Sequence, residues 1–318
     1  MVKIMSDKVP MLDITAQNRP KLSEYMSKFQ EIVENSQFIG GKFVNEFEKA
    51  FSQFCNVTGC VGVANGTDAL EIALKALDIN EQHEVIVPAF TFIATAESVA
   101  NVGAKVKFVD IDEKSYTLDA DLLNSIDEPK VKGVIPVHLY GQTADMSKIN
   151  QIAQRKGWSV VEDAAQAHGA KNGDSMAGSM GDIGCFSFYP TKNLGAMGDG
   201  GAVTANNEKL IGRIRRLANH GRVTHLHHDE VGCNSRLDAM QAAVLSIKLP
   251  LLDEYNKKRA EIASYYDEMF NGFDIVTPYK RDNSTHVYHQ YTILLDDRDK
   301  LQKLLAKNNI GSATHYPV

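Results

Sequence analysis

Between residues 60 and 188, short apolar runs of strand length alternate with segments of helical period, and that alternation limits the possible folds more than anything else in the chain. The runs are Cys60 to Ala64, Glu84 to Pro88, Lys105 to Val109, Val131 to Val137, Trp158 to Val161 and Ile183 to Phe188. Continuous β-branched runs suit strands buried on both faces, and their alternation with helices predicts an α/β domain built on a mainly parallel sheet flanked by helices. Ahead of this region, Leu22, Tyr25, Met26, Phe29, Ile32 and Val33 recur at spacings of three and four, which predicts an amphipathic helical arm over residues 1–36. A second such helix runs from Val44 through Phe47, Ala50 and Phe51 to Phe54. Beyond Leu237 a long helix is expected, broken at Pro250. Two strand-like pieces, His286 to Leu295 and Gly311 to Tyr316, then flank a helix from Arg298 to Lys307. The 318 residues thus divide into the arm, a large domain over 37–250 and a smaller α+β domain over 251–318.

The charge balance excludes one class of function. With 34 Lys and Arg against 40 Asp and Glu, the formal charge of −6 does not suit an electrostatic nucleic-acid binder. Cys55, Cys60, Cys185 and Cys233 form no CxxC pair, and a chain of this length needs no disulfide staples, which predicts reduced thiols and a cytoplasmic setting. No run of about 18 apolar residues is present. The start MVKIMSDKVPMLD lacks the apolar stretch of a signal peptide. The expectation is a protein that neither enters a membrane nor is exported by that route.

Three segments carry chemistry. In FSFYPTKNLGAMGDGGAV, Lys192 sits in a turn beyond a buried strand, followed by a glycine-rich stretch with almost no bulk. A lysine can form a Schiff base once its amine is made nucleophilic by desolvation or a nearby cation; equally, loop lysines are common. In WSVVEDAAQAHGA, Asp163 ends a strand, where parallel sheets place their ligands, although it also reads as the cap of a helix beginning at Ala164. Together, a carboxylate to keep a pyridinium nitrogen protonated and a lysine to bond an aldehyde are what pyridoxal phosphate requires. In CVGVANGTDALEIALKAL a strand enters a tight Asn65-Gly66-Thr67 turn, and the N–H groups of the following helix with the Thr67 hydroxyl would cradle a phosphate. Ordinary helix capping explains the same residues. Neither a Walker loop nor a dinucleotide fingerprint is present.

The set NGTDAL, VPAFTFIATAESV, PVHLYGQTADM, VVEDAAQAHGA, GCFSFYPTKNLGAMGDGGA, NHGR and GCNSRLDAMQAAVL resembles the DegT/DnrJ/EryC1/StrS family of pyridoxal-phosphate sugar aminotransferases. The motifs stand in family order from about residue 10 to the end. The resemblance implies the type I fold of pyridoxal-phosphate transferases with a seven-stranded type of sheet, and pyridoxal 5'-phosphate as cofactor. It makes Lys192 the lysine that bonds the cofactor and Asp163 the partner of the pyridine nitrogen. Gln166 would lie near the phenolic oxygen and Phe92 would stack on the ring. Gly66, Thr67 and Ser187 would hold the phosphate, joined by Asn234 from the neighbouring subunit of a homodimer. Arg236, His315 and Tyr316 resemble positions that contact a sugar nucleotide.

Several of these residues have a plainer reading. Phe92, like Phe90, could fill core; Ser187 could be a small buried strand residue; Asn234 and Arg236 could open a helix; His315 could be an ordinary loop histidine. The implied activity is transfer of an amino group from an amino acid, L-glutamate by resemblance, to a keto group on a nucleotide-linked sugar in two half-reactions. Relatives that instead remove a sugar hydroxyl resemble this motif with His in place of the lysine, so Lys192 argues against a dehydratase. A regulatory protein that binds the cofactor without catalysis is the remaining alternative. Relatives also continue beyond the HYP segment, whereas this chain stops at Val318, which leads to the expectation of an incomplete small domain. His225, His227 and His228 lack the spacing of a metal site and read as a surface loop.

Overall fold

The computed structural model describes residues 8–317. The arm comprises α1 (Ile14–Asn18), a 3-10 turn over Arg19–Lys21 and α2 (Leu22–Glu34). In α3 (Gly41–Cys55), Val44, Phe47 and Phe51 share a buried face, as their spacing of three and four requires. There follow β1 (Gly59–Val63), α4 (Gly66–Ala76), β2 (Glu84–Pro88), α5 (Ala94–Asn101), β3 (Lys105–Val109), α6 (Ala120–Leu123), β4 (Val131–Val134), α7 (Met146–Lys156) and β5 (Ser159–Asp163). A short hairpin of β6 (Lys171–Asn172) and β7 (Ser175–Met176) precedes β8 (Ile183–Ser187) and β9 (Gly201–Ala205). After α8 (Glu208–Leu217) comes a second hairpin, β10 (Arg222–Thr224) with β11 (His227–His228). The chain closes with α9 (Ala239–Lys248), α10 (Leu252–Phe270) and α11 (Arg298–Lys307).

Seven strands form one sheet in the order β1-β9-β8-β5-β4-β2-β3. Only β9 runs against the rest. The six apolar runs read from the sequence are six of these strands, with shifted ends. Val131 to Val137 stops at Val134, since Pro136 has no N–H to give a ladder. β9 escaped the sequence reading because GAVTA is built of small residues; it is buried at all five positions between β1 and β8. The long helix does break at Pro250, through a 3-10 turn over Leu249–Leu251.

The strand-like pieces His286 to Leu295 and Gly311 to Tyr316 are not strands. Residues 286–295 carry only isolated bridges, to Gln142 and Val276. Val287 N–H donates instead to the Gly141 carbonyl at 2.8 Å, and Tyr288 turns the chain with a φ of 44°. The backbone groups that a ladder would have used are thus satisfied by a loop at the sheet's edge. The HYP segment likewise lies in irregular chain.

Both faces of the sheet are covered. On one, the Phe51 ring meets Phe186 and Phe188 nearly edge-on, with centroids 4.9 and 5.3 Å apart. Burying each such side chain contributes about 1.5–3 kcal/mol, and the edge contacts add about 0.5–1.5 each. These rings clamp α3 onto β8 and so fix the strand that leads into the Lys192 turn. On the other face Leu70, Ile72 and Leu74 of α4 pack against Val61, Val85 and Val161.

Candidate active site

The sheet register decides which of two adjacent acids faces the crevice. Asp163 pairs in parallel with Cys185 of β8, and side chains alternate along a strand, so Asp163 shares a face with Cys185 and Ser187. Glu162 points to the other face and is fully consumed there. It accepts from the N–H groups of Gly178, Met180 and Gly181 at 2.9, 2.6 and 2.6 Å. It also meets His138 Nε2 at 2.8 Å. Since His138 Nδ1 accepts from the Ala144 N–H at 3.1 Å, Nε2 carries the proton and donates to Glu162. Asp163 Oδ2 accepts from the Thr95 hydroxyl at 2.8 Å, and Oδ1 from the Ala165 N–H at 3.2 Å. Residues 164–170 form turns rather than a helix, so Asp163 is not a helix cap.

Lys192 lies in the turn beyond β8, its N–H bonded to the Tyr189 carbonyl at 2.8 Å. Burial drives its ammonium from the ordinary 10.5 down to about 8, against the opposing attraction of Asp163. A lysine so placed has a reachable free amine near neutral pH, the condition for a nucleophile. Around it stand histidines held neutral. His168, between Phe186 and Phe188, is pushed down to about 3, first by burial and then by the charge on Lys192. His315 is lowered by the same two causes.

The phosphate cradle assigned to Gly66, Thr67 and Ser187 is built where β1 turns into α4. Asn65, rather than Thr67, is the cap: its side chain accepts from the Asp68 N–H at 2.8 Å. The N–H groups of Gly66 and Thr67, the first two helical residues, have no intrahelical acceptor. Gly66 lies so close to β8 that an added Cβ would stand 2.7 Å from Ser187 Cβ, which explains glycine there. Ser187 is half-buried and its oxygen accepts from the Tyr189 N–H at 3.3 Å.

Gln166 joins the Tyr140 turn to the C-terminal segment. Its carbonyl oxygen accepts from the Tyr140 N–H, and its amide donates to the Tyr316 hydroxyl, each at 2.8 Å. Tyr140 in turn donates to the His315 carbonyl at 2.5 Å. Phe92 is 55% exposed with its ring 6.1 Å from Tyr316, so it is not core filling. Phe90 packs at the apolar patch formed by Val137, Leu139 and Tyr140. The structure therefore gathers Lys192, Asp163, Gln166, Phe92, Gly66, Thr67, Ser187, His315 and Tyr316 at the carboxyl edge of the sheet. Asn234 and Arg236 flank Ser235, whose hydroxyl accepts from the Ala64 N–H at 3.0 Å beside the Asn65-Gly66 turn; Asn234 is exposed, and Arg236 donates to Asn219 at 3.2 Å. Thr95 and Tyr140 were missed as individual residues, although the quoted motifs TFIATAES and HLYG contain them. His225, His227 and His228 lie exposed on and beside the β10–β11 hairpin.

A buried amine, a carboxylate on the neighbouring strand, an exposed aromatic face and an open helix start fit pyridoxal phosphate at its aldehyde, ring nitrogen, ring face and phosphate respectively. That fold and that set of groups define an aminotransferase of the pyridoxal-phosphate type I fold. The chain belongs to the DegT/DnrJ/EryC1/StrS aminotransferase family, whose sequence profile matches residues 21–318. It is 44% identical over 310 residues to the UDP-N-acetyl-3-dehydro-alpha-D-glucosamine 3-aminotransferase of Acidithiobacillus ferrooxidans, covering 98% of this chain and 84% of that one. Among solved structures it is similar to S. venezuelae DesV in complex with a ketimine intermediate, with a TM-score of 0.96, 39% identity, and coverage of 98% of this chain and 85% of that chain. NtdA from Bacillus subtilis, solved with bound cofactor PMP, gives a TM-score of 0.91 at 30% identity, covering 100% of this chain and 74% of that one.

Proposed function

We propose that this aminotransferase binds pyridoxal 5'-phosphate and moves an amino group from L-glutamate to a keto group of a nucleotide-linked sugar, in two half-reactions. The depressed Lys192 amine beside Asp163 carries this reading. When bound, the cofactor supplies a carbonyl carbon that accepts the amino group and a pyridinium ring that withdraws charge from the reacting carbon. Lys192 is the nucleophile toward that carbon and then moves a proton between the donor α-carbon and cofactor C4'. Asp163, its oxygens already held by Thr95 and the Ala165 N–H, keeps a proton on the ring nitrogen. Phe92 covers the ring and Gln166 approaches the phenolic oxygen with its second amide N–H. Gly66, Thr67 and Ser187 bind the phosphate together with Asn234 of the partner subunit. Arg236, His315 and Tyr316 contact the sugar nucleotide.

The exposure of Asn234 in a single chain supports a homodimer with shared sites. So do the apolar residues left uncovered on the arm, Leu22 at 57%, Met26 at 57% and Val33 at 54% exposure, and Ile39 just beyond it at 54%. Among the described residues no helix is long and apolar enough to cross a membrane. Four free cysteines, three of them buried, support a cytoplasmic setting. We divide the chain into the arm over 1–36, the cofactor domain over 37–250 and the small domain over 251–318. The test loads the protein with pyridoxamine phosphate, offers a panel of keto-sugar nucleotides and follows the return of the lysine-bound cofactor spectrum. At least one sugar should restore it in the wild type and none in Lys192→Ala; restoration in the variant would overturn the assignment.

A further inference from the structure

One buried cation has no part in the chemistry described above. Lys248, the last residue of α9, is 3% exposed. Its ammonium donates to the Gly195 carbonyl at 2.7 Å, the one acceptor it meets among the described residues. Burial lowers it to about 8, with no carboxylate acting on it. A buried charge without a counter-ion is costly, so a methionine would fill the same space with less strain on the fold. What the ammonium holds explains why a cation stands there.

Gly195 closes the turn that carries Lys192. The Lys192 N–H donates to the Tyr189 carbonyl, and the Ala196 N–H returns to the Phe188 carbonyl, each at 2.8 Å. An added Cβ at Gly195 would strike the Pro190 carbonyl oxygen, so the two ends of the turn lie against each other. In this stretch the Gly195 carbonyl and the Met197 N–H have no backbone partner among the described residues. α9 supplies both: Lys248 donates to the carbonyl, and Gln241 Oε1 accepts from the Met197 N–H at 2.8 Å. Gln241 and Lys248 are seven residues apart, about two helical turns, and so project from one face. α9 is itself fixed, with Ala242, Ala243 and Leu245 in the core that holds Phe47 and Phe51 of α3. On the turn's other side the Asn193 amide donates to Asn256 Oδ1 of α10 at 2.8 Å and to the Val287 carbonyl at 2.9 Å.

We propose that Lys248 and Gln241 are positioning residues for Lys192: from one face of α9 they hold the 195–197 backbone and so keep the Lys192 amine confined in the crevice. This rests on the reading of Lys192 as the reacting amine. Each side chain acts through the loop rather than on the cofactor. Confinement matters because desolvation is what brings the amine down to about 8; a loosened turn would let water reach the ammonium and return it toward 10.5. The titratable groups that face Lys192, namely Asp163, His168, His289 and His315, all lie outside α9 and are retained in the variants below.

The test takes the full chain, freed of cofactor, and mixes it with pyridoxal phosphate at a series of pH values. Borohydride then fixes the bond, and peptide mass spectrometry measures the label on Lys192. In the wild type the labelling rate should rise with a midpoint of about 8. Lys248→Met and Gln241→Leu should each move the midpoint up by about one unit and slow labelling at pH 7 about 10-fold. Lys248→Arg keeps a donor and Gln241→Glu an acceptor, and each should recover part of both effects. In a single turnover with L-glutamate, Lys248→Met should lower the maximal rate and leave the half-saturating glutamate concentration unchanged. An unmoved midpoint in either removing variant that folds overturns the proposal, as does a shift that the conserving variants share in full, which would reflect packing alone. Gln241 is half-buried, so its pair serves should Lys248→Met fold poorly. A wild type whose Lys192 takes no label overturns the aminotransferase reading instead, so the two failures are distinct.

Discussion

The buried amine of Lys192 should cost the cofactor-free protein stability in a way that pH reveals. Its folded-state pKa of about 8 lies below the ordinary 10.5, so the folded chain binds fewer protons than the unfolded chain between those values. The penalty is fully present below about pH 8, shrinks as pH rises, and is gone above about 10.5. A depression of that size is worth about 3 kcal/mol at pH 7 and about half as much at pH 9.5. Replacing the side chain with Met keeps most of its volume and removes the charge. Lys192→Met, freed of cofactor, should therefore be more stable than wild type by up to about 3 kcal/mol at pH 7, and inactive. Urea titrations at pH 7 and 9.5, with unchanged slope, measure the difference. Lys248 is also buried and lowered to about 8, but it is common to both proteins and cancels. Equal stabilities at pH 7, or a gap that does not shrink by pH 9.5, would mean that burial does not prime this amine.

Three further outcomes are expected. Thr95→Val keeps the shape of the side chain and removes the hydroxyl that bonds Asp163 at 2.8 Å; urea titration should show a loss of about 1–3 kcal/mol. Gly66→Ala places a Cβ 2.7 Å from Ser187 Cβ, which should cost about 1–3 kcal/mol and loosen the phosphate cradle; equilibrium dialysis should find weaker cofactor retention. Burial raises the thiols of Cys55, Cys60 and Cys185, so a thiol reagent should titrate only the half-buried Cys233 quickly in the native protein, and rapid reaction of all four would contradict the fold.

Much of the sheet was legible because its strands are buried on both faces, and a strand with no solvent side must be apolar without alternation. β9 carries the same burden of burial with glycine and alanine, and small residues leave no periodic signal. The segments 286–295 and 311–316 read as strands, yet they form no ladder and bond instead to the Tyr140-Gly141 turn that follows β4. No local pattern states that. At the site, Asp163 was legible from its place at the end of a strand, whereas only the register shows that its neighbour Glu162 faces the other side. Phe90 and Phe92 differ in the same way: only the folded chain shows one packed at an apolar patch and the other open. Thr95 stayed hidden because it acts on a neighbour, Asp163, that is distant in sequence.

If Lys192 and Asp163 serve amino transfer, the donor half-reaction runs without any sugar present. Protein loaded with pyridoxal phosphate is mixed with L-glutamate alone, and pyridoxamine phosphate and 2-oxoglutarate are quantified by mass spectrometry. The wild type should form both in amounts equal to its sites, and Lys192→Ala should form neither on the same timescale. A wild type that keeps its pyridoxal phosphate unchanged with glutamate and every other amino acid would contradict the claim.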